Sequence, residues 1–131
     1  MTARLARISV CHDGCEQVLA EVPDLVREVG RLLRKHADAS DVTISIELPQ
    51  DHRMLLVALH AGSAFIGLDT HDGIYQYVAD EAATGKRQFP IGGQPTAIDA
   101  RCVLPVAEIL DVLTAWLVGS APLGESPWER Q

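Results

Sequence analysis

Cys11-His12-Asp13-Gly14-Cys15 is the densest cluster of reactive side chains in the chain. Two thiols and an imidazole this close suggest a metal site, a nucleophile or a disulfide. Zinc takes four ligands, commonly in Cys pairs two to four residues apart with a second pair elsewhere. Cys11 and Cys15 have three residues between them, and no second Cys or His pair follows; Cys102 stands alone. A nucleophilic thiol needs a base and a lowered pKa. His12 and His36 are available for that role, but the spacing requires neither. The plain structural reading is that both cysteines flank a hairpin turn, roughly opposite each other. A cross-strand disulfide there is geometrically conceivable and unusual for a reducing cytoplasm.

Asp69-Thr70-His71-Asp72-Gly73 is an acidic loop without the alternating ligands and closing Glu of a calcium loop. It reads as a solvated turn and as a candidate protein contact, together with Asp80 and Glu81. Tyr75 and Tyr77 are two residues apart, so they share one face of a strand. Such a pair suits a recognition surface, and it suits ordinary sheet packing somewhat better. Ile74 and Val78 fall on the opposite face and are expected in the core. Gln88-Phe89-Pro90-Ile91-Gly92-Gly93 has glycines but no phosphate-loop Lys followed by Ser or Thr. No nucleophile-elbow or zinc-protease motif is present. The expectation is therefore no catalytic residue, no cofactor and no metal. Trp128 lies beyond the last helical segment, where it can plug the core, anchor a partner or sit on a loose tail. Burial against the domain is favoured, because a bare tryptophan is costly.

The elements that position these residues follow from periodicity. The chain has 131 residues, 47% of them apolar, which suits one domain with a real core. Residues 120–131 form a C-terminal tail on that single domain. Arg4–Cys11 and Glu16–Val22 alternate around His12-Asp13-Gly14 and predict a hairpin. Pro23 opens a helix over Pro23–Ala37, with Leu25, Val26, Val29, Leu32 and Leu33 on one face. Val42–Leu48 alternates as a strand with one wet face. Met54–Leu59 is continuously apolar, as in a central strand buried on both sides. Ala64–Leu68 and Ile74–Ala79 complete an antiparallel meander. Gln88–Ala97, with its prolines and glycines, reads as irregular, and Asp99–Val103 as a short strand or extended lead-in. Pro105–Val118 gives the second helical stripe, with Gly119 at its C′ position. The predicted fold is α+β: an antiparallel sheet of about five to six strands with two helices, most simply packed on one face.

Eleven Lys and Arg against eighteen Asp and Glu give a net charge of −7. That balance argues against direct nucleic-acid binding, which needs a basic face. It suits a basic protein partner, and it also suits plain solubility. No apolar run is long enough for a membrane span, and no basic start precedes a long apolar stretch. A cytoplasmic protein is expected, with its oligomeric state open.

Taken in order, the pieces resemble a family of bacterial immunity proteins. The hairpin is followed by a helix after Pro23; then come the Leu68-Asp69 strand end, the Asp72-Gly73 turn and the Tyr75 strand. Phe89-Pro90 follows, with Leu104-Pro105-Val106-Ala107-Glu108 at a helix start and Trp116-Leu117-Val118-Gly119 at its end. Pro122 and Pro127-Trp128-Glu129 close the chain. The whole resembles the type-one Imm family of polymorphic-toxin systems, common in actinobacteria. Leu123-Gly124-Glu125 departs from the simpler polar link expected before the tryptophan. The resemblance implies an inhibitor without catalysis of its own. It would bind a cognate, basic toxin domain of the deaminase or nuclease type and occlude its active site or substrate groove. Exposure and charge then nominate Asp69, Asp72, Tyr75, Tyr77, Asp80, Glu81 and Trp128 as partner-binding residues. Two other classes stay open: a non-inhibitory adaptor or chaperone for a secreted partner, and a small metal-dependent enzyme built on the cysteines and a histidine.

Overall fold

The computed structural model describes residues 5–12, 14–48, 52–91, 93–118 and 128–130. Asp13, the expected turn at Pro49-Gln50-Asp51, Gly92, the Gly119 cap and the tail from Pro122 to Pro127 lie outside them. The class is α+β, with two helices on an antiparallel sheet that is larger than expected. Eight strands form the main sheet and two more form a separate ribbon.

In chain order, β1 (Leu5–Cys11) and β2 (Cys15–Glu21) make the hairpin. Pro23 then sits in a 3-10 turn, Val22–Asp24, and α1 follows over Leu25–His36. The ring presets the backbone for a first turn and removes an N–H that has no helical partner there. β3 (Ser40–Leu48), β4 (Arg53–His60), β5 (Ser63–Thr70) and β6 (Gly73–Tyr77) form the meander. The ribbon is β7 (Lys86–Ile91) paired with β8 (Gln94–Asp99). A 3-10 turn over Ala100–Cys102 leads into β9 (Val103–Pro105), and a second over Val106–Glu108 leads into α2 (Ile109–Val118). Finally β10 (Trp128–Arg130) returns to the sheet. The strand order is β10-β6-β5-β4-β3-β1-β2. β9 pairs the Ser63–Phe65 half of β5, and β6 pairs the Gly67–Thr70 half.

The two extra strands of the sheet, β9 and β10, come from segments whose sequences carry no long alternation. The ribbon overturns the irregular reading of Gln88–Ala97. Pro90 and Pro95 face each other across it. Proline is excluded from strands that must donate on both sides, but each strand of a two-stranded ribbon is an edge.

Strand alternation gives the sheet an inner and an outer face. Val42, Ile44, Ile46 and Leu48 of β3 point inward with Leu55, Val57 and Leu59 of β4, and all are buried. They pack under Leu25, Val29, Leu32 and Leu33 of α1 and Ile109, Val112, Leu113 and Trp116 of α2. Those spacings keep one stripe of each helix on the core. A second, smaller cluster lies outside the sheet. There Phe89 of the ribbon packs with Ala58, Phe65, Val78, Ile98 and Cys102.

Candidate functional site

The ribbon crosses the outer face near its middle and covers only part of it. Phe89 is 1% exposed and meets the His60 ring edge-to-face at 5.7 Å. Ala100 N–H closes the base of the ribbon on the Gly85 carbonyl at 2.9 Å, and Gly93 N–H at its tip donates to Asp41 Oδ1 at 3.4 Å. The ribbon and the sheet do not close on each other throughout. Between them lies a groove of about 510 Å³. Met54, Leu56 and Phe65 make its floor, Ile74 and Gln76 one side, and Ile91 and Ile98 the other. Asp69, Lys86 and Asp99 supply its charges.

This groove explains the continuously apolar β4. Ala58, under the ribbon, is fully buried, whereas Met54 and Leu56 are only half-buried because their outer side lines the groove. Burial on both sides therefore holds only for the covered half of the strand. Ile74, expected in the core, is 50% exposed, while Tyr75 is 6% exposed. The two faces of β6 are the reverse of the expectation. Ile74 and Gln76 look outward into the groove; Tyr75 and Tyr77 look inward to the core. Val78 is buried as expected, beneath the ribbon.

The nominated partner residues thus separate. Tyr75 is enclosed, with the Arg130 guanidinium 5.9 Å from its ring centre. Tyr77 is half-buried and lies edge-to-face with Trp128 at 5.3 Å. Burial first, then the Glu108 and Asp111 carboxylates, push the Tyr77 hydroxyl pKa up. Trp128 is 3% exposed in β10, paired with Tyr77. It plugs the core, so neither it nor Tyr75 is a surface anchor in this fold.

The four acidic candidates lie at opposite ends of β6. Asp69 is exposed beside the groove, and Asp72 at the neighbouring turn, 3.3 Å from His71. Asp80 and Glu81 follow the far end of the strand, roughly 13 Å away along it at about 3.3 Å per residue. Asp80 is exposed and caps the Ala82 N–H at 3.0 Å. Glu81 pairs with Arg101 at 3.3 Å. Arg101 also holds Glu129 at 3.0 Å and Asp99 at 3.5 Å, clamping the tail strand beside the ribbon. The backbone N–H of Arg101, then its charge, keep the Asp99 carboxyl below the usual range. At the Asp72 end, Arg130 Nη2 donates to the Asp72 carbonyl at 2.8 Å. Gly73 has φ +151°, and a Cβ there would stand 2.9 Å from that guanidinium, so this latch fits only glycine well.

The cysteine cluster resolves as a hairpin closure. Cys11 and Cys15 are register partners, Cα atoms 4.1 Å apart, joined by a disulfide. Gly14, at φ +125°, permits the turn. Disulfides persist in oxidising compartments; in a reducing cytoplasm the same register pair would stand as two thiols. His12 and His36 lie beside it, ring centres 6.1 Å apart. Burial, Lys35 and His12 lower the His36 pKa. Cys102 is fully buried elsewhere, and burial pushes its thiol pKa up, the opposite of an activated nucleophile. Among the described residues no group of three His, Cys, Asp or Glu is placed to hold a metal. Among them, too, no helix is long and apolar enough to cross a membrane.

Sequence reasoning missed the groove because its two walls lie far apart in the chain. The Gly92-Gly93 pair in the sequence was the available signal for the ribbon. The class these features define is an α+β protein whose outer sheet face carries a preformed, partly apolar groove. No family model, no curated protein and no solved structure matches the chain.

Proposed function

We propose that this chain is an immunity protein. It binds a cognate toxin domain, of the deaminase or nuclease type, and neutralises it by occluding its active site or substrate groove. The protein acts by binding alone, without a cofactor, in the cytoplasm of the cell it protects. The observation that supports this reading best is the outer-face groove with exposed Ile74 on its side and Asp69 beside it. An apolar recess next to a carboxylate that no described residue pairs with suits a protein surface that offers an apolar side chain beside Lys or Arg. Charge adds to it. From Asp69 onward the described chain carries eight carboxylates against four cations. An acidic surface of this kind draws in a basic partner and speeds encounter.

Asp69 and Asp72 stand at the groove end of β6 and are the carboxylates placed to guide docking. Replacing both by Lys slows association and makes it less sensitive to salt. Co-expression with the toxic domain encoded beside the gene tests the reading. Growth rescue together with a stable complex is expected. A complex without rescue would replace the inhibitor by an adaptor, and neither rescue nor complex would sink the toxin partner.

A further inference from the structure

β2 is the last strand on its side of the sheet, and no described residue pairs with its outer backbone. It spans seven residues, roughly 23 Å at about 3.3 Å per residue. Open edges of this length template another strand unless proline, lysine, a bulge or a covering element blunts them. Cys15–Glu21 contains neither Pro nor Lys, and its register on β1 runs unbroken from Leu5↔Glu21 to Cys11↔Cys15. The outer face beside the edge is also apolar in part: Leu19 is 64% exposed and Leu5 42%.

Charge selects the occupant. With a net charge of −7, two copies repel unless they meet where the charge balances. That place is this edge. From Glu16 to Lys35 four carboxylates accompany four cations, in contrast to the acidic excess from Asp69 onward. α1 runs beside β2, and on this flank exposed Arg27 pairs with half-buried Asp24 of the preceding turn at 3.2 Å and exposed Arg31 with half-buried Glu28 at 3.2 Å. A hollow of about 420 Å³ between strand and helix, lined by Val18–Glu21 with Asp24, Arg27 and Glu28, leaves room for side chains of a second strand and helix. An antiparallel two-fold brings together two flanks that each carry both signs in equal number.

We infer that two copies of this chain pair through β2, antiparallel, with Leu19 at the two-fold axis. In that register Leu19 faces Leu19 of the second copy, Val18 faces Ala20, and Gln17 faces Glu21. No carboxylate of β2 faces another. The sheet continues across the axis, so all four helices lie on one side and both grooves open on the other. This pairing is independent of the toxin reading, since it uses neither the groove nor the acidic end.

Sedimentation velocity over a rising concentration series, with three proteins, tests it. The native chain is expected to shift from monomer to dimer mass. Leu19→Lys is expected to raise the dissociation constant at least tenfold while melting as the native chain does. Ile74→Lys, on the groove, is expected to dimerise like the native chain. A native chain monomeric at every concentration, or Leu19→Lys dimerising unchanged, would overturn the proposal. Amide exchange gives a reading that needs no variant. Exchange along Cys15–Glu21 slows as concentration rises if the edge pairs, and concentration-independent exchange there would contradict it.

Discussion

The two faces of the sheet are made by the same strands and closed in different ways. On the inner face, two amphipathic helices bury the whole alternating stripe from Val42 to Leu48. On the outer face a two-stranded ribbon covers the residues around Phe89 and leaves Met54, Leu56 and Ile74 open to the groove. Helices with a broad apolar stripe can seal a twisted sheet, whereas a ribbon two strands wide cannot. The difference separates two tasks: the inner side holds the fold, and the outer side leaves apolar surface open, which the proposed function assigns to a partner.

That separation can be broken at its most stabilising contact. Trp128→Ala removes the plug between Tyr77 and α2 and is expected to cost about 3–5 kcal/mol, read from urea unfolding. A loss below about 1 kcal/mol would mean that β10 is a loose cover and the inner face closes without it. Phe89→Ala sharpens the outer side. It is expected to cost about 3 kcal/mol and, because Phe89 seats the ribbon, to abolish partner binding while the inner core still unfolds cooperatively. Binding retained in that variant would remove the ribbon from the site. The smallest effect belongs to the hairpin tip, which serves neither face. Cys11→Ser with Cys15→Ser opens a loop of only five residues, so about 2 kcal/mol is expected from loop entropy. Thiol titration of the native chain under oxidising conditions is expected to find the buried Cys102 alone, and only after unfolding.

Much of this fold is legible in the sequence where a signal is local. The β1–β2 hairpin, the β3 alternation and the stripe of α1 need only neighbouring residues. The orientation of β6 does not. Alternation shows that Tyr75 and Tyr77 share a face, but not which face turns inward. Side-chain hydropathy puts Ile74 inside; the packing of Trp128 on Tyr77 and of Arg130 over Tyr75 puts it outside. β10 escapes because three residues carry no period. The ribbon escapes because its prolines argue against a strand until it is known to be two-stranded. Of the candidate site, Asp69 and Asp72 were visible as acidic turn residues. Ile74 and the groove floor were not, since the groove exists only once residues 86–99 lie over residues 54–76.

The most direct test is the affinity of Ile74→Lys for the proposed toxin partner, measured by calorimetry beside its thermal midpoint. Ile74 is half-exposed and outside both cores, so the midpoint is expected to stay where it is. A charge placed in an apolar recess is expected to weaken binding at least tenfold. Unchanged affinity with an intact fold would place the partner elsewhere and contradict the assignment of recognition to the outer face.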